Sequence, residues 1–273
     1  MQAAQHKLIY DVGAHKGEDT EFYLKKGFSV VAIEANPALC LGLTKRFEEF
    51  INSGRLVLLN LAISDHSGEV TLFINDKSDW GTTDPEWVKR NQALGFPSRP
   101  ITVKSDRFER VLQRHGIPYF LKIDIEGADL LCLHALKEFD LRPKFLSIES
   151  NKVSWKKLNA ELSVLQSLGY NRFKAINQGY VPHQRQPNPP REGVFTSHCF
   201  EEGSSGLFGE DSPGLWMSRP IVTVKYCVIF ARYKLFGDNT FGSRILLKLS
   251  KRFPPCLRLL PSWYDTHAKL GGA

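Results

Sequence analysis

Residues 8–20 read LIYDVGAHKGEDT. An apolar run from Leu8 to Val12 holds Asp11 near its end. Gly13 and Gly17 bracket a turn, and a helical stretch over Asp19–Lys26 closes at Gly27. Apolar run, glycine turn and helix make the first half of a βαβ unit. SVVAIEA (29–35) is the next apolar run, and Pro37 suits the first turn of a helix reaching about Phe50, with Leu39, Leu43, Phe47 and Phe50 at helical spacing. RLVLLNLA (55–62) follows as a third strand. Runs apolar on both faces and separated by helices predict a parallel sheet, hence an α/β fold.

The same alternation continues. EVTLFI (69–74) returns from a turn at 64–68, and residues 75–100 read as a loop. ITVKSD leads into a helix over Phe108–Arg114, and YFLKIDI (119–125) is a strand. A helix from Ala128 to about Phe139, the strand KFLSIES (144–150) and a helix over Trp155–Leu168 come next, and YNRFKAIN (170–177) reads as the last strand. After residue 178 the character changes. Gln184–Arg191 is rich in Pro, Gln and Asn, 200–214 resists regular structure, and apolar residues return at helical spacing over Ile221–Leu235. The expected organisation is one domain over 1–178 and a C-terminal extension over 179–273.

Composition narrows the class. The 273 residues are 42% hydrophobic and 24% charged, which excludes a disordered chain and supplies a core without disulfide staples. The net charge of +7 is unevenly spread. It is densest at Arg244, Lys248, Lys251, Arg252 and Arg258, with no acid between them. Two readings fit that segment: a basic amphipathic surface resting on anionic lipid, or a helix whose leucines pack on the domain while its basic face is solvated. Pro254-Pro255 limits a continuous membrane-binding helix and favours the second. Five widely spaced cysteines without a CxxC predict buried, reduced thiols and no zinc site. No apolar run approaches the ~20 residues of a membrane span. The N-terminus enters a strand-like run too soon for a signal peptide, so a cytoplasmic protein is expected.

Three signals point to chemistry. DxGxxxG at 11–17 ends a strand where a doubly wound sheet binds its ligand, and it is neither the GxGxxG of dinucleotide folds nor a Walker loop. Glu34 ends the second strand at the position where a carboxylate can accept both hydroxyls of a ribose. Together they imply a nucleoside-bearing ligand without a pyrophosphate cradle, which S-adenosyl-L-methionine fits better than NAD. The third signal is LKIDIEG (121–127), whose Lys122, Asp124 and Glu126 end a strand expected beside the first. Ionisable groups there are costly unless paired or functional.

In this order, DVGAHKGEDT, VVAIEANP, NLAISDHSGEVTLF, LKIDIEGADLLCLHAL and KFLSIES closely resemble the FkbM family of S-adenosylmethionine-dependent methyltransferases, over roughly residues 8–177. The tail, with SSGLFGED, GLW and PSWYDTHA, is similar to extensions on some bacterial members. The resemblance implies a class I (Rossmann-like) methyltransferase fold, a seven-stranded, mostly parallel sheet with one antiparallel strand. It implies O-methylation of a sugar, glycan or polyketide-like hydroxyl. By the same resemblance Asp11, Gly13, Ala14 and Gly17 would line the methionine end of the cofactor. Glu34 would hold the ribose, and Asn60, Leu61 and Ala62 would flank adenine, with Ser64 or Asp65 nearby. Asp124 and Glu126 would face the reaction centre. His15 and Lys16 depart from the Asn and Ile or Val common at their positions.

An alcohol must lose its proton as it attacks, and a positioned base contributes ~10²–10⁴-fold. Asp124 is the first candidate, Glu126 the second and His15 the third. Lys122 is expected to pair with an acid, and no metal-ligand cluster shows itself. His66 reads as solvated. Trp80, Gly81, Thr82, Thr83 and Trp87 suit stacking on a sugar ring or simple loop packing. The regions of His183 and His198 are placed to close over an acceptor. The alternatives are an RNA or protein methyltransferase, disfavoured by the lack of an aromatic-basic nucleic-acid module, and a non-catalytic S-adenosylmethionine-binding protein.

Overall fold

The computed structural model describes residues 5–75, 81–83, 88, 92, 98–125, 127–151, 154–201, 203–237, 240–250, 252–253 and 260–271. Among the described residues, ten strands form two sheets. β1 (Gln5–Val12), β2 (Ser29–Glu34), β3 (Leu56–Asn60), β7 (Pro118–Ile123) and β8 (Phe145–Glu149) run parallel in the order β3-β2-β1-β7-β8. β9 (Tyr170–Asn177) forms the far edge. Between β8 and β9 lies β10 (Tyr264–Leu270), antiparallel to both. This is the α/β sheet of the class I methyltransferase fold, with its single reversed strand.

The reversed strand comes from the last ten residues, so β9 is not the last strand in sequence. The expected boundary at 178 therefore cuts through the sheet, because Ser147 and Lys174 meet only through His267 between them. A second correction concerns residues 99–106. They form β6 (Arg99–Asp106), which pairs antiparallel with β5 (Gly68–Ile74) and parallel with the two-residue β4 (Ala62–Ile63). The helix expected from Pro37 to about Phe50 divides at Phe47 into α2 (Pro37–Arg46) and α3 (Glu48–Asn52).

The sheet's two faces are covered differently. On one, α4 (Phe108–His115), α5 (Asp129–Ala135), α6 (Trp155–Ser167) and α7 (Arg219–Phe236) bury Leu112, Leu133, Leu162 and Tyr226 among others. On the other, α1 (Glu18–Lys25) and α2 share the cover with a largely irregular strap over 184–212 that contributes Phe200, Leu207 and Phe208. A further helix, α8 (Phe241–Ser250), lies between α7 and β10 in the chain. Cys40 and Cys132 are buried as expected, whereas Cys199 and Cys227 are exposed, and Cys256 lies outside the described residues. Among the described residues no helix is long and apolar enough to cross a membrane.

Candidate functional site

A cleft of about 770 Å³ opens at the carboxyl ends of the parallel strands. That is where a doubly wound sheet binds ligands, and the size suits a small-molecule site. One wall comes from the first sixty residues. Gly13, at φ +88°, passes so close to the loop after β7 that a Cβ there would lie 1.8 Å from the Asp124 carbonyl oxygen. Only glycine lets these two loops touch.

The amides of the glycine turn are spent internally. The Gly13 and Ala14 N–H groups donate to the Ile33 carbonyl at 2.9 and 3.0 Å, and the His15 N–H donates to Glu34 Oε2 at 2.8 Å. The turn is thus fastened to β2 rather than left open as an anion cradle, in line with the absence of a phosphate motif. His15 holds φ at 50°, rare for a residue with a Cβ, and its Nδ1 sits 3.3 Å from Glu18 Oε1.

Glu34 lines the cleft. Its Oε1 accepts the Asn36 N–H at 2.8 Å while Oε2 accepts that of His15. Each oxygen keeps a further lone pair for a ligand hydroxyl. Burial pushes this carboxyl up and the two amides push it back, for a net rise above the usual range. Leu61 and Ala62 line the cleft beside it. The exposed Asn60 braces the turn instead, its amide donating to the Glu34 and Ala35 carbonyls at 2.9 and 3.3 Å.

Two other expected contacts are absent from the cleft's lining. Asp11 is fully buried beneath it, with Oδ2 accepting the Thr20 hydroxyl at 2.6 Å and Oδ1 the Lys122 ammonium at 3.0 Å. Gly17 faces Phe47 and Leu43, where a Cβ would come within 2.5 Å of a ring carbon. Both shape the site from behind. Lys122 also reaches Asp19 at 3.3 Å and the Gly13 carbonyl at 3.1 Å. Burial disfavours its ammonium, but Asp11, Asp19 and Asp124 outweigh that and hold its pKa well above the ordinary lysine value. The acid partners expected for Lys122 are therefore Asp11 and Asp19. Burial raises the Asp19 carboxyl to about 6, with Lys122 opposing.

Asp124 lines the cleft at the end of β7, its N–H donating to the Val12 carbonyl at 2.9 Å. Glu126 lies outside the described residues. Of the long loop, Gly81, Thr82 and Thr83 line the cleft, while Trp80 and Trp87 are not among the described residues. His66 is exposed and sits 2.7 Å from Asp65. His198 packs its ring against both Phe22 and Phe200 and does not line the main cleft.

The opposite wall contains residues not singled out from the sequence. Asp265, on β10, sits beside Glu149 in register. Burial, then Asp124 and Glu149, drive its carboxyl well above the ordinary range, so it holds a proton more readily than a solvated acid. Gln178, 5% exposed, lines the cleft with Nε2 buried and unbonded. Tyr233, Ser262 and Trp263 complete this wall, and Glu201 and Ser205 reach in from the strap. The family-like SSGLFGED and PSWYDTHA segments, which hold Ser205 and Ser262, Trp263 and Asp265, were the signals for this wall. No group of ligands able to hold a metal is present among the described residues.

The Methyltransferase FkbM domain model matches residues 11–172. Among solved structures, the chain is similar to a methyltransferase FkbM from Methylobacillus flagellatus KT at 17% identity and a TM-score of 0.42, covering 71% of this chain and 43% of that one. The chain thus spans less than half the length of that relative. It is also similar to a SAM-dependent methyltransferase from Geobacter sulfurreducens in complex with S-adenosyl-L-homocysteine, at 10% identity and a TM-score of 0.37, covering 99% of this chain and 86% of that one. No curated protein matches the chain.

Proposed function

We propose, from the premise that this chain belongs to the FkbM methyltransferase family, that it is an S-adenosyl-L-methionine-dependent O-methyltransferase acting on an uncharged hydroxyl compound such as a sugar or small metabolite. The observation that carries the cofactor reading is Glu34. Its carboxylate ends β2, faces the cleft, and is fixed by two backbone amides with lone pairs to spare. It would hold the ribose, with Leu61 and Ala62 against the base and the Gly13–His15 turn against the methionine end. When bound, the cofactor supplies an electrophilic methyl group on a sulfonium, whose positive charge suits a cleft lined by Glu18, Asp124 and Glu149.

The protein's own part is placement and proton removal. Fixing an acceptor oxygen in line with the methyl group is worth up to ~7–11 kcal/mol. Gln178 and Trp263 line the wall opposite Glu34 and would orient that oxygen. Asp124 would take its proton. The same carboxylates repel phosphates, which supports a neutral acceptor over RNA.

Titration calorimetry tests the shared step. S-adenosylmethionine should bind the wild type, and Glu34→Ala should bind at least tenfold more weakly. Equal affinity would remove the ribose assignment. Asp124→Asn should keep cofactor affinity and lose turnover in a methyl-transfer screen against hydroxylated glycans and metabolites. Undiminished turnover would exclude Asp124 as the base.

A further inference from the structure

The eighteen-residue α7 is buried along one side only. Val222, Tyr226 and Ile229 enter the core, while Ile221, Val224, Val228 and Leu235 are 58%, 64%, 57% and 60% exposed. Those four recur at i, i+3, i+7 and i+14, on one side of the helix. α8 repeats the pattern. Ser243 and Leu246 turn inward, and Phe241, Ile245 and Leu249, at i, i+4 and i+8, are exposed, as are Leu247 and Phe253. The leucines of this segment do not all pack on the domain, which corrects the reading that the sequence favoured. The two helices meet at their ends. Thr240 Oγ1 donates to the Leu235 carbonyl at 3.1 Å, and a Cβ on Gly242 would lie 2.3 Å from that same oxygen. An apolar surface this extensive is unusual on a soluble monomer.

The surrounding charge identifies what covers it. Between Asp211 and Asp265 the sequence holds nine Lys or Arg residues and a single acid, Asp238. Lys234, Arg244, Lys248 and Arg252 are exposed on or beside these helices. A second copy would set like charge against like. A nucleic acid would accept the cations but leave aliphatic side chains such as Ile221, Val228 and Ile245 unsatisfied. An anionic bilayer surface meets both demands, since apolar side chains enter the headgroup–acyl boundary while lysine and arginine meet lipid phosphates.

We propose that the outer faces of α7 and α8 dock the protein in the plane of an anionic membrane. Neither helix crosses the bilayer. The proposal concerns the surface alone and stands independently of methyl transfer.

The test is co-sedimentation of the full chain with phosphatidylcholine vesicles, with and without phosphatidylglycerol. The wild type should pellet with the anionic vesicles and be released by high salt. Phe241→Ser/Ile245→Ser/Leu249→Ser should stay in the supernatant with an unchanged melting temperature, since all three side chains are exposed. Arg244→Gln/Lys248→Gln should partition about 25-fold more weakly, near fivefold per cation. A wild type that never pellets, or a triple variant that pellets equally, would overturn the proposal. So would a wild-type dimer, seen by light scattering, that dissociates in the triple variant, because the stripe would then belong to a second copy.

Discussion

On one face of the seven-stranded sheet, four helices bury leucines, phenylalanines and tyrosines at regular intervals. On the other, two helices share the work with a strap over 184–212 that is fastened at separate points. Phe208 stacks on Phe120 at 4.7 Å and meets Tyr23 and Phe28 edge-on. Lys26 and Asp211 form a wholly buried ion pair at 3.1 Å. The Tyr119 hydroxyl donates to Glu192 at 2.9 Å, and the Ser205 N–H donates to Asp19. A helix face distributes its stability over many similar contacts, whereas a strap concentrates it in a few unlike ones. The strap also sends Glu201 and Ser205 into the cleft, so its anchors position part of the site.

The Lys26–Asp211 pair is where that contrast should break most visibly. Asp211→Ala leaves a buried ammonium without its partner and should cost about 3–5 kcal/mol in denaturant unfolding. Lys26→Met/Asp211→Asn should recover much of the loss, because no buried charge then needs compensation and the amide oxygen can still accept the Arg191 N–H that Asp211 accepts at 2.8 Å. A loss under 1 kcal/mol for the single variant would show that the strap is held by its aromatic residues instead.

The helical face has its own exception. Glu161 on α6 is buried, and desolvation, with Asp129 and Glu149 nearby, raises its carboxyl to about 8. The folded protein keeps this proton where the unfolded chain, near the ordinary value of 4.5, has lost it. Stability should therefore fall as pH rises from 4.5 to 8 and level off above, by about 5 kcal/mol from this group. Glu161→Gln should flatten that slope and be the more stable protein at pH 8.5. Chemical denaturation at pH 5 and pH 8.5 reads the difference, and parallel profiles for the two proteins would show that Glu161 titrates normally.

The contrast also explains which parts of the molecule were legible. β1, β2, β3 and β7 are apolar runs next to glycine turns, and β8 is a further apolar run, so Gly13, Glu34 and Asp124 could be set at strand ends from the pattern. β10 could not. Its sequence, YDTHAKL, looks like a solvated loop, yet Asp265, Thr266 and His267 are all buried. Thr266 is satisfied by hydroxyl contacts with Ser150 and Tyr226 at 2.8 and 2.6 Å, partners 116 and 40 residues away. No local pattern records such pairing. β6 was missed because its solvent-facing side carries Pro100, Thr102 and Lys104, leaving Val103 and Ser105 as its buried positions. Asp11 and Gly17 were recognised as conspicuous, but spacing did not reveal that they face away from the cleft.

The smallest expected effect separates the two walls of the site. Gln178 follows β9 and reaches the cleft from the side built late in the chain, whereas Glu34 reaches it from the side built first. A primary amide buried with Nε2 unbonded costs free energy until something accepts from it. An acceptor hydroxyl in the cleft could do so. Gln178→Ala removes one neutral hydrogen bond, so kcat/KM should fall about tenfold, near 1.4 kcal/mol, while calorimetric affinity for S-adenosylmethionine stays at the wild-type value. Folding should be unimpaired or slightly improved, because the orphaned donor is gone. A loss of cofactor affinity matching the loss of turnover would place Gln178 on the same side as Glu34. The proposed division into a cofactor wall from β1–β3 and an acceptor wall from the residues after β9 would then fail.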